Sequence, residues 1–302
     1  ITGAGGFVGK NLAEALQHKM QVLKTSRADV DLLDADAVEG FVATHKINRI
    51  IHCASEGGAR KTGYDATQHD IVKMNLQMLL NLKRCLTDDM HMIYFGSGAE
   101  YDKRQPLVKV NENSRALPID DYGFAKYAMS QCIGNAKNIT CLRIFGLYGK
   151  YEDYRYKFIS NAILKNMLGM PMTIHQNVCF DYLYMDDLVR IVEGFLKTPP
   201  SERIINVTPT QSIDLITITQ CINEASQKQT EVVVLNEGMN LAYTGDNQLL
   251  LSQLPQFNFT TYAQGIKCLY KYYQSVVNTL DIDCIKADPF IKYCKTGEKH
   301  EK

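Results

Sequence analysis

The chain has 302 residues, of which 45% are hydrophobic and 22% charged, values typical of a globular protein. Its 33 basic and 33 acidic residues cancel, so we expect neither a nucleic acid nor a membrane surface as a partner. No apolar stretch is long enough to span a bilayer, and no signal peptide is visible. Nine cysteines without a CxxC pair predict reduced thiols in a cytoplasmic protein, with neither disulfides nor a metal site.

The first nine residues, ITGAGGFVG, predict the end of a strand, a glycine turn and the start of a helix at 8–18. Gly3, Gly6 and Gly9 are spaced by three residues. Glycines at this spacing allow a tight turn, a close approach of the backbone to a pyrophosphate, and close packing of helix on strand. The helix N-terminus then favours the phosphates, so we predict a dinucleotide site; an ordinary βα turn is the alternative. Only two residues precede the first glycine, and we expect further native residues before them.

The next segment is predicted to select the cofactor. A second strand is expected at 20–25, and Arg27 follows its end. In such folds an arginine at this place suits the 2′-phosphate of NADP, whereas an acidic residue suits the ribose hydroxyl of NAD. Arg27 therefore favours NADP(H), while Asp29, two residues later, keeps NAD(H) as an alternative.

Three further strands are predicted in this half of the chain, at 47–54, 91–95 and 138–146. The polar, glycine-rich loop at 56–70 is a candidate cover for an active site, and an amphipathic helix follows at 71–86. The strand at 91–95 ends in Gly96-Ser97-Gly98, which places a hydroxyl at the edge of the sheet. A helix beginning near residue 120 carries Tyr122 and Lys126 four residues apart, hence on one face.

The pattern changes after residue 147. Helices are predicted at 158–168, 212–225 and 261–277, with short strands at 171–175, 203–208 and 231–235, and residues 296–302 are expected to be a disordered tail. We predict an α/β fold with a doubly wound parallel sheet (a Rossmann fold) and a smaller C-terminal α/β substrate-binding lobe. The Rossmann domain is assigned to 1–147, with about 174–207 returning to it, and the lobe to 148–295.

These motifs, in this order, resemble the extended short-chain dehydrogenase/reductases that act on nucleotide sugars as epimerases, dehydratases and reductases. The resemblance covers roughly residues 1–280. Residues 2–9 match the family's TGxxGxxG, 118–126 its PxxxYGxxK, 143–150 its RxFNxYGP, and 180–187 its RDxxxVDD. Asn75 matches the family's helix asparagine.

The resemblance implies a catalytic triad of Ser97, Tyr122 and Lys126. A tyrosine phenol ordinarily has a pKa near 10, and a lysine ammonium one helical turn away, together with an oxidised nicotinamide, favours the phenolate. Ser97 would orient the sugar oxygen, Tyr122 would give or take the proton, and Lys126 would also hold the nicotinamide ribose.

The resemblance also implies two sets of binding residues. For the cofactor they are Gly3, Gly6, Phe7, Val8, Arg27, Asp31, Leu32, Ala54, Asn75, Tyr122 and Lys126. For the substrate they are Ser97, Gly98, Ala99, Gly146, Arg155 and Asn161.

Departures from the family narrow the reaction. The 4,6-dehydratases carry an Asp-Glu pair after the catalytic hydroxyl residue, and GDP-fucose synthase a cysteine at the second of these places, where this chain has Gly98 and Ala99. Glu100 comes one place too late, and in an extended segment it would point to the other face. The family asparagine that approaches the substrate phosphates is Gly146 here, and an arginine that often contacts them is Phe180. Either another residue serves, with Arg155, Lys157 and Asn161 nearby, or the substrate is not a standard nucleotide diphosphate sugar.

The sequence therefore favours an NADP(H)-dependent reductase of a nucleotide-activated 4-keto-6-deoxy sugar. An NAD-dependent nucleotide-sugar 4-epimerase is the alternative enzyme, and a cofactor-binding member without turnover is the alternative of another class. The resemblance also implies a homodimer, formed through the helices at about 67–87 and 120–136.

Overall fold

The computed structural model describes residues 1–57 and 70–288, together with residues 291 and 294. Most of the loop predicted to cover the active site, and the tail at 296–302, lie outside the described residues. The expectations for these two segments stay predictions.

The helices alternate with strands through most of the described chain. They are α1 (Phe7–Leu16), α2 (Ala35–Thr44), α3 (Ile71–Arg84), α4 (Asp121–Cys132), α5 (Phe158–Met167), α6 (Met185–Lys197), α7 (Leu215–Ser226), α8 (Gln248–Gln253), α9 (Tyr262–Val276) and α10 (Ile282–Lys286). Short 3-10 turns lie at Gly98–Glu100 and Val277–Thr279.

The described strands are short. They are β1 (Arg49–His52), β2 (His91–Ser97), β3 (Leu107–Val110), β4 (Ile139–Ile144), β5 (Gly146–Tyr148), β6 (Met172–Asn177), β7 (Cys179–Phe180), β8 (Tyr182–Tyr184), β9 (Ile204–Val207), β10 (Ile213–Asp214), β11 (Val232–Met239) and β12 (Tyr243–Gly245).

The first sheet is parallel, with strand order β1-β2-β4-β9. Thr2 extends it beyond β1 through parallel bridges to His52 and to Thr25. Helices α1 and α6 pack on one face of the sheet, and α2, α3 and α4 supply the apolar side chains packed on the other. This is the doubly wound α/β arrangement that the alternating elements predict.

The predicted second strand at 20–25 is wrong in extent, because only Thr25 forms a bridge. The partner segment has only Ile1 and Thr2 before Gly3, whose φ of +61° turns the chain out of the strand. A ladder can form only where both partners are present and extended. The pairing is therefore limited to Ile1 donating to the Leu23 carbonyl at 2.8 Å, Thr25 donating to the Ile1 carbonyl and Ala4 donating to the Thr25 carbonyl.

The C-terminal lobe has its own core, built from α5, α7 and α9 against β6. Helices α7 and α9 begin at side-chain caps: Asp214 accepts from the Thr217 N–H at 3.0 Å, and Thr261 with Gln264 forms a capping box. The Ser212 hydroxyl, which the sequence also placed at the start of α7, instead donates to Asp181 at 2.5 Å.

We propose that the segment returning to the Rossmann domain starts later than the predicted boundary at about 174. Strand β6 pairs with β11, whereas α6 packs on α1 and β9 pairs with β4. We therefore assign residues 174–177 to the lobe, because they pair with β11. We propose 182–207 as the part that returns, since β8 already pairs with β5 at the end of the first sheet.

Candidate functional site

The glycine turn is built as the spacing predicts. A Cβ on Gly3 would lie 2.7 Å from the Ala54 nitrogen, and a Cβ on Gly9 would lie 2.3 Å from the Gly3 carbonyl oxygen. Both contacts are far shorter than a side chain tolerates, so the turn accepts only glycine there. Helix α1 starts at Gly6 without a side-chain cap, and its first N–H groups are thus left for an anion.

A cavity of about 260 Å³ opens beside this turn. Of the residues predicted to hold the cofactor, those that line it are Gly3, Gly6, Arg27, Asp31, Leu32 and Ala54. Met74 and Met78, both on α3, form part of its apolar wall. A cavity with an apolar wall that also includes the glycine turn fits the adenosine and pyrophosphate of a dinucleotide.

Phe7, Val8 and Asn75 do not line this cavity. Asn75 acts one step away, because its amide accepts from the Ser55 hydroxyl and the Glu56 N–H, both at 3.1 Å, and donates to the Glu56 carbonyl at 3.0 Å. Ser55 and Glu56 do line the cavity. The helix asparagine therefore holds the wall of the predicted cofactor site.

The two residues predicted to select the cofactor behave differently. The Asp29 carboxylate accepts from the Ser26 N–H and hydroxyl, both at 2.7 Å, and is not among the residues lining the cavity. Arg27 lines the cavity and forms an ion pair with Glu56. Sequence reasoning missed Glu56, since nothing in its local pattern indicates a partner 29 residues away.

Ser97 lies at the end of β2 and is 8% exposed. Its Oγ accepts from the Ala99 N–H at 3.1 Å, and its own N–H donates to Glu100 Oε1 at 3.1 Å. Residues 98–100 form a 3-10 turn instead of continuing the strand, so the Glu100 side chain folds back beneath Ser97. The segment thus does not stay extended at Glu100, because the capping box closes this turn.

Tyr122 and Lys126 lie on α4, whose first turn is capped by Asp120. The Lys126 Nζ is 5.6 Å from the centre of the Tyr122 ring and donates to the Phe95 carbonyl at 2.9 Å. Burial lowers the pKa of Lys126, while neighbouring acidic groups, Glu100 among them, oppose that shift. The Lys126 ammonium thus lies near both the Tyr122 ring and the end of β2. The four-residue spacing predicts that the two side chains share one face of the helix.

Helix α4 approaches the turn after Ser97 closely because Gly123 follows Tyr122. A Cβ at Gly123 would be 2.3 Å from the Ala99 carbonyl oxygen. Only glycine permits this contact, which places the start of α4 against residues 98–100. The structure thereby brings Tyr122 and Ser97 to the same end of the sheet.

The space next to Gly98 is already filled by side chains. A Cβ there would be 2.6 Å from the Tyr243 hydroxyl and 2.7 Å from the Phe145 ring. Gly98 is the first of the two positions at which the 4,6-dehydratases carry a carboxylate, as the family resemblance implies. Tyr243 lies 145 residues beyond Gly98 in the chain, and no sequence motif marks it.

The other predicted substrate residues, Gly146, Arg155 and Asn161, lie in three different environments. Gly146 pairs with Tyr182, and a Cβ on it would be 2.9 Å from the Asp181 carbonyl oxygen, so a larger residue has no room. Arg155 forms two hydrogen bonds with Asp153, at 2.8 and 2.9 Å. The Asn161 amide nitrogen is buried and, within the described residues, has no hydrogen-bond partner.

The described residues contain no group of three or more metal-ligating side chains. In the same part of the chain, no helix has both the length and the apolar character needed to cross a membrane.

His52 is a packed side chain. It is 2% exposed, and its Nδ1 lies 2.8 Å from the Thr2 hydroxyl.

The chain is similar to known proteins along most of its length. The model of the NAD dependent epimerase/dehydratase family matches residues 1–208. An ADP-L-glycero-D-manno-heptose-6-epimerase of Brachyspira hyodysenteriae is 20% identical over 312 residues, covering 92% of this chain and 96% of the relative.

Two solved structures illustrate the common fold. A UDP-glucose 4-epimerase of Thermotoga maritima, with UDP-glucose, has a TM-score of 0.76 at 16% identity, covering 91% of this chain and 98% of that one. A GDP-mannoheptose C4 reductase of Campylobacter jejuni, with NADP bound, has a TM-score of 0.74 at 17% identity, covering 90% and 97%. The matched family model includes the glycine turn, Ser97, Tyr122 and Lys126, and the chain therefore belongs to the NAD-dependent epimerase/dehydratase family as an NAD(P)-dependent enzyme.

Proposed function

We propose that this protein reduces the keto group of a nucleotide-activated 4-keto(-6-deoxy) sugar with NADPH. The observation that carries the proposal is the end of β2. Ser97 and the Tyr122–Lys126 pair converge there, while Gly98 and Ala99 provide no acid or base and Tyr243 fills the space beside Gly98. A site with this composition supports proton and hydride transfer alone.

The chain's own residues would perform the following steps. The reduced nicotinamide supplies the hydride when bound. Ser97 donates its hydroxyl proton in a hydrogen bond to the sugar carbonyl, because its Oγ already accepts from the Ala99 N–H. Tyr122 gives a proton to the same oxygen as the alkoxide develops. The Lys126 ammonium, 5.6 Å from the Tyr122 ring centre, stabilises the phenolate left behind.

The residues present fit the cofactor in two respects. The turn at Gly3 and Gly9 leaves no room for a Cβ, which is what a backbone cradle for a pyrophosphate requires. Arg27 lines the cavity beside it, which supports a contact between its guanidinium and the adenosine ribose. We propose NADP(H) as the preferred cofactor, with the 2′-phosphate replacing Glu56 as the partner of the Arg27 guanidinium.

Separate substitutions of Arg27 and Glu56 should shift the preference between NADPH and NADH in opposite directions. Arg27→Ala is expected to lower the ratio of kcat/KM for NADPH over NADH by about 10- to 100-fold, the value of a charged hydrogen bond. Glu56→Gln should raise that ratio several-fold, because it removes an anion that competes with the phosphate. Steady-state kinetics with both cofactors measures this.

Lys24→Ala is the matched control for the loss of one charge. Lys24 lies three residues before Arg27 and bonds to Gln17 at 3.0 Å, and it does not line the cavity. An Arg27→Ala protein with the wild-type ratio contradicts the phosphate contact.

The filled space at Gly98 predicts the result of restoring the dehydratase carboxylate. Gly98→Asp should be destabilised by about 1–3 kcal/mol, the usual penalty of overpacking, and should gain no dehydratase activity. The double variant Gly98→Asp/Tyr243→Phe removes the hydroxyl 2.6 Å away and should recover part of the lost stability, because the Phe145 ring still crowds the position. Gly40→Asp is the control, because Gly40 has open space around it. Thermal unfolding measures these differences; equal effects at Gly98 and Gly40 would show that Tyr243 does not fill the site.

An NAD-dependent nucleotide-sugar epimerase is the second candidate, because the Brachyspira relative is named an epimerase and Glu56 neutralises Arg27. The two functions differ in what happens to the cofactor. A reductase consumes NADPH in proportion to product, whereas an epimerase regenerates its cofactor within each turnover.

The deciding experiment is a screen of UDP-, GDP-, CDP- and dTDP-activated 4-keto sugars with NADPH, following its oxidation. Stoichiometric oxidation with one of them is the expected result. A purified protein that keeps NAD through gel filtration and converts a nucleotide sugar without added cofactor would overturn the reductase proposal. Turnover of either kind would also exclude a member that only binds the cofactor.

The homodimer implied by the resemblance stays a prediction. Helices α3 and α4 pack against each other, as that interface requires. Leu80 and Phe124, on these helices, are 39% and 50% exposed.

A further inference from the structure

A polar cluster is buried directly beneath the end of β2. Glu100, Ser130 and Arg143 are 0%, 3% and 4% exposed. Glu100 Oε2 accepts from Arg143 Nη2 at 2.8 Å and from the Ser130 hydroxyl at 2.9 Å. A buried ion pair of this kind is weak evidence for stability, because the desolvation of both charges offsets their attraction. Its position suggests another role.

The second carboxylate oxygen of Glu100 contacts the site itself. Glu100 Oε1 accepts from the Ser97 N–H at 3.1 Å, while the Ser97 Oγ accepts from the Ala99 N–H at 3.1 Å. The backbone and the side chain of Ser97 are thus both held within one short turn. Ser97 has its Oγ occupied as an acceptor, and its own O–H is left to donate to the sugar.

Gly96 shows how closely the strand rests on this carboxylate. A Cβ there would be 2.8 Å from Glu100 Oε1 and 2.6 Å from the Cys141 sulfur. The strand that ends in Ser97 is therefore packed directly on the Glu100 carboxylate. Moving this carboxylate would move the strand end.

The Glu100 carboxylate and the Lys126 ammonium contact neighbouring parts of the same two elements. Ser130, one helical turn beyond Lys126 on α4, donates to Glu100, while Lys126 donates to the carbonyl of Phe95, the residue before Gly96. Burial lowers the pKa of Lys126, and the acidic groups that oppose this shift are Cys141, Glu100 and Cys53. Burial raises the pKa of Cys53 to about 12 and of Cys141 to about 11, so both thiols are uncharged at neutral pH. Glu100 is then the one carboxylate among these groups.

Among the described residues, the other titratable groups close to Lys126 carry no negative charge that could replace that of Glu100. Burial, and secondarily Lys126 itself, lowers the pKa of His52 to about 3, so this imidazole is neutral. Tyr122 packs from α4, and the Phe95 carbonyl accepts from the ammonium at 2.9 Å.

We propose that Glu100 is a positioning residue of the hydride-transfer site: its buried carboxylate, held by Arg143 and Ser130, fixes Ser97 and supplies the counter-charge beneath α4 and the end of β2. This role rests on the function proposed above. Glu100 does not touch the reacting atoms and acts through the two residues that do.

The experiment compares two variants with the wild type. Glu100→Gln keeps the shape but leaves the Arg143 guanidinium buried without its counter-charge, so it risks a folding defect. The double variant Glu100→Leu/Arg143→Met removes both charges, an exchange that buried ion pairs often tolerate. In the folded variants we expect kcat at pH 7 to fall at least about tenfold, with the cofactor KM within about twofold.

The pH profile distinguishes positioning from structural support. Without the Glu100 carboxylate the Lys126 ammonium is lost at lower pH, so the alkaline limb of kcat should move down by about one pH unit. The control is Lys165→Met/Asp288→Leu, which removes a second ion pair with a buried lysine, 2.6 Å long, from the C-terminal lobe. It should keep the wild-type limb. A folded Glu100→Leu/Arg143→Met protein with wild-type kcat and alkaline limb overturns the proposal.

Two further measurements cover the remaining cases. If neither charge variant folds, Ser130→Ala decides: a kcat at least about threefold lower at an unchanged unfolding temperature supports positioning, and a wild-type kcat contradicts it. The ¹⁵N resonance of the Lys126 side chain, assigned with Lys126→Met, follows its ionisation without any substrate. A wild-type protein that reduces no sugar therefore overturns the proposed function alone, while an unshifted Lys126 titration in the double variant overturns this inference.

Discussion

Tyr122→Phe is expected to lower kcat for hydride transfer by about 100- to 10,000-fold, the range by which a positioned proton donor accelerates a reaction. The ring remains beside the Lys126 ammonium, 5.6 Å from its centre, so packing at the start of α4 is retained. Affinity for NADPH should stay within about twofold, since only one hydroxyl is lost. Single-turnover oxidation of NADPH and equilibrium binding separate the two effects.

Tyr127→Phe is the matched control for this variant. Tyr127 lies one residue beyond Lys126 on the same helix, hence on a different face, and loses the same hydroxyl group. It should show wild-type kcat. If Tyr122→Phe retains more than about a tenth of the activity, another group donates the proton and the assignment of the triad is wrong.

Gly9→Ala is expected to abolish productive cofactor binding, with a rise in Kd for NADPH of about 100-fold or more. Its Cβ would lie 2.3 Å from the Gly3 carbonyl oxygen and 2.9 Å from the Ala4 Cα, and both are backbone atoms of the cradle. Neither can move without distorting the turn that is to hold the pyrophosphate. Calorimetric titration with NADPH measures the loss.

Gly5→Ala provides the comparison within the same turn. Gly5 has no atom within 4 Å of the position of an added Cβ, and its φ is not positive. It should bind NADPH within about twofold of the wild type and unfold at a similar temperature. Equal affinities for the Gly9→Ala and Gly5→Ala proteins would show that the turn does not carry the cofactor.

Neither prediction required the tertiary structure to locate its residue. The glycine spacing, the strand end at Ser97 and the four-residue separation of Tyr122 and Lys126 are local patterns. Helix and strand periods convert such spacings directly into shared faces and ends. For the same reason α1, α3, α5, α7 and α9 were predicted to within a few residues, although α6 was not predicted. The strand at 20–25 was overestimated, because its extent depends on a partner elsewhere.

Only the tertiary structure reveals the contacts between residues that are distant in sequence. Arg27 pairs with Glu56, Gly98 meets Tyr243, and Glu100 meets Arg143. In each case one member lies on another strand, loop or lobe, and no periodicity relates the two positions.

The amino-acid sequence by itself predicted the parallel α/β architecture and the glycine turn, because each depends on neighbours a few residues away, and its resemblance to the family implied the set of Ser97, Tyr122 and Lys126. The tertiary structure decided the environment of these groups: which carboxylate faces Arg27, which hydroxyl fills the space beside Gly98, and which buried anion accompanies Lys126. Charge and shape at a site depend on every element packed around it, and that packing exists only once the chain has folded.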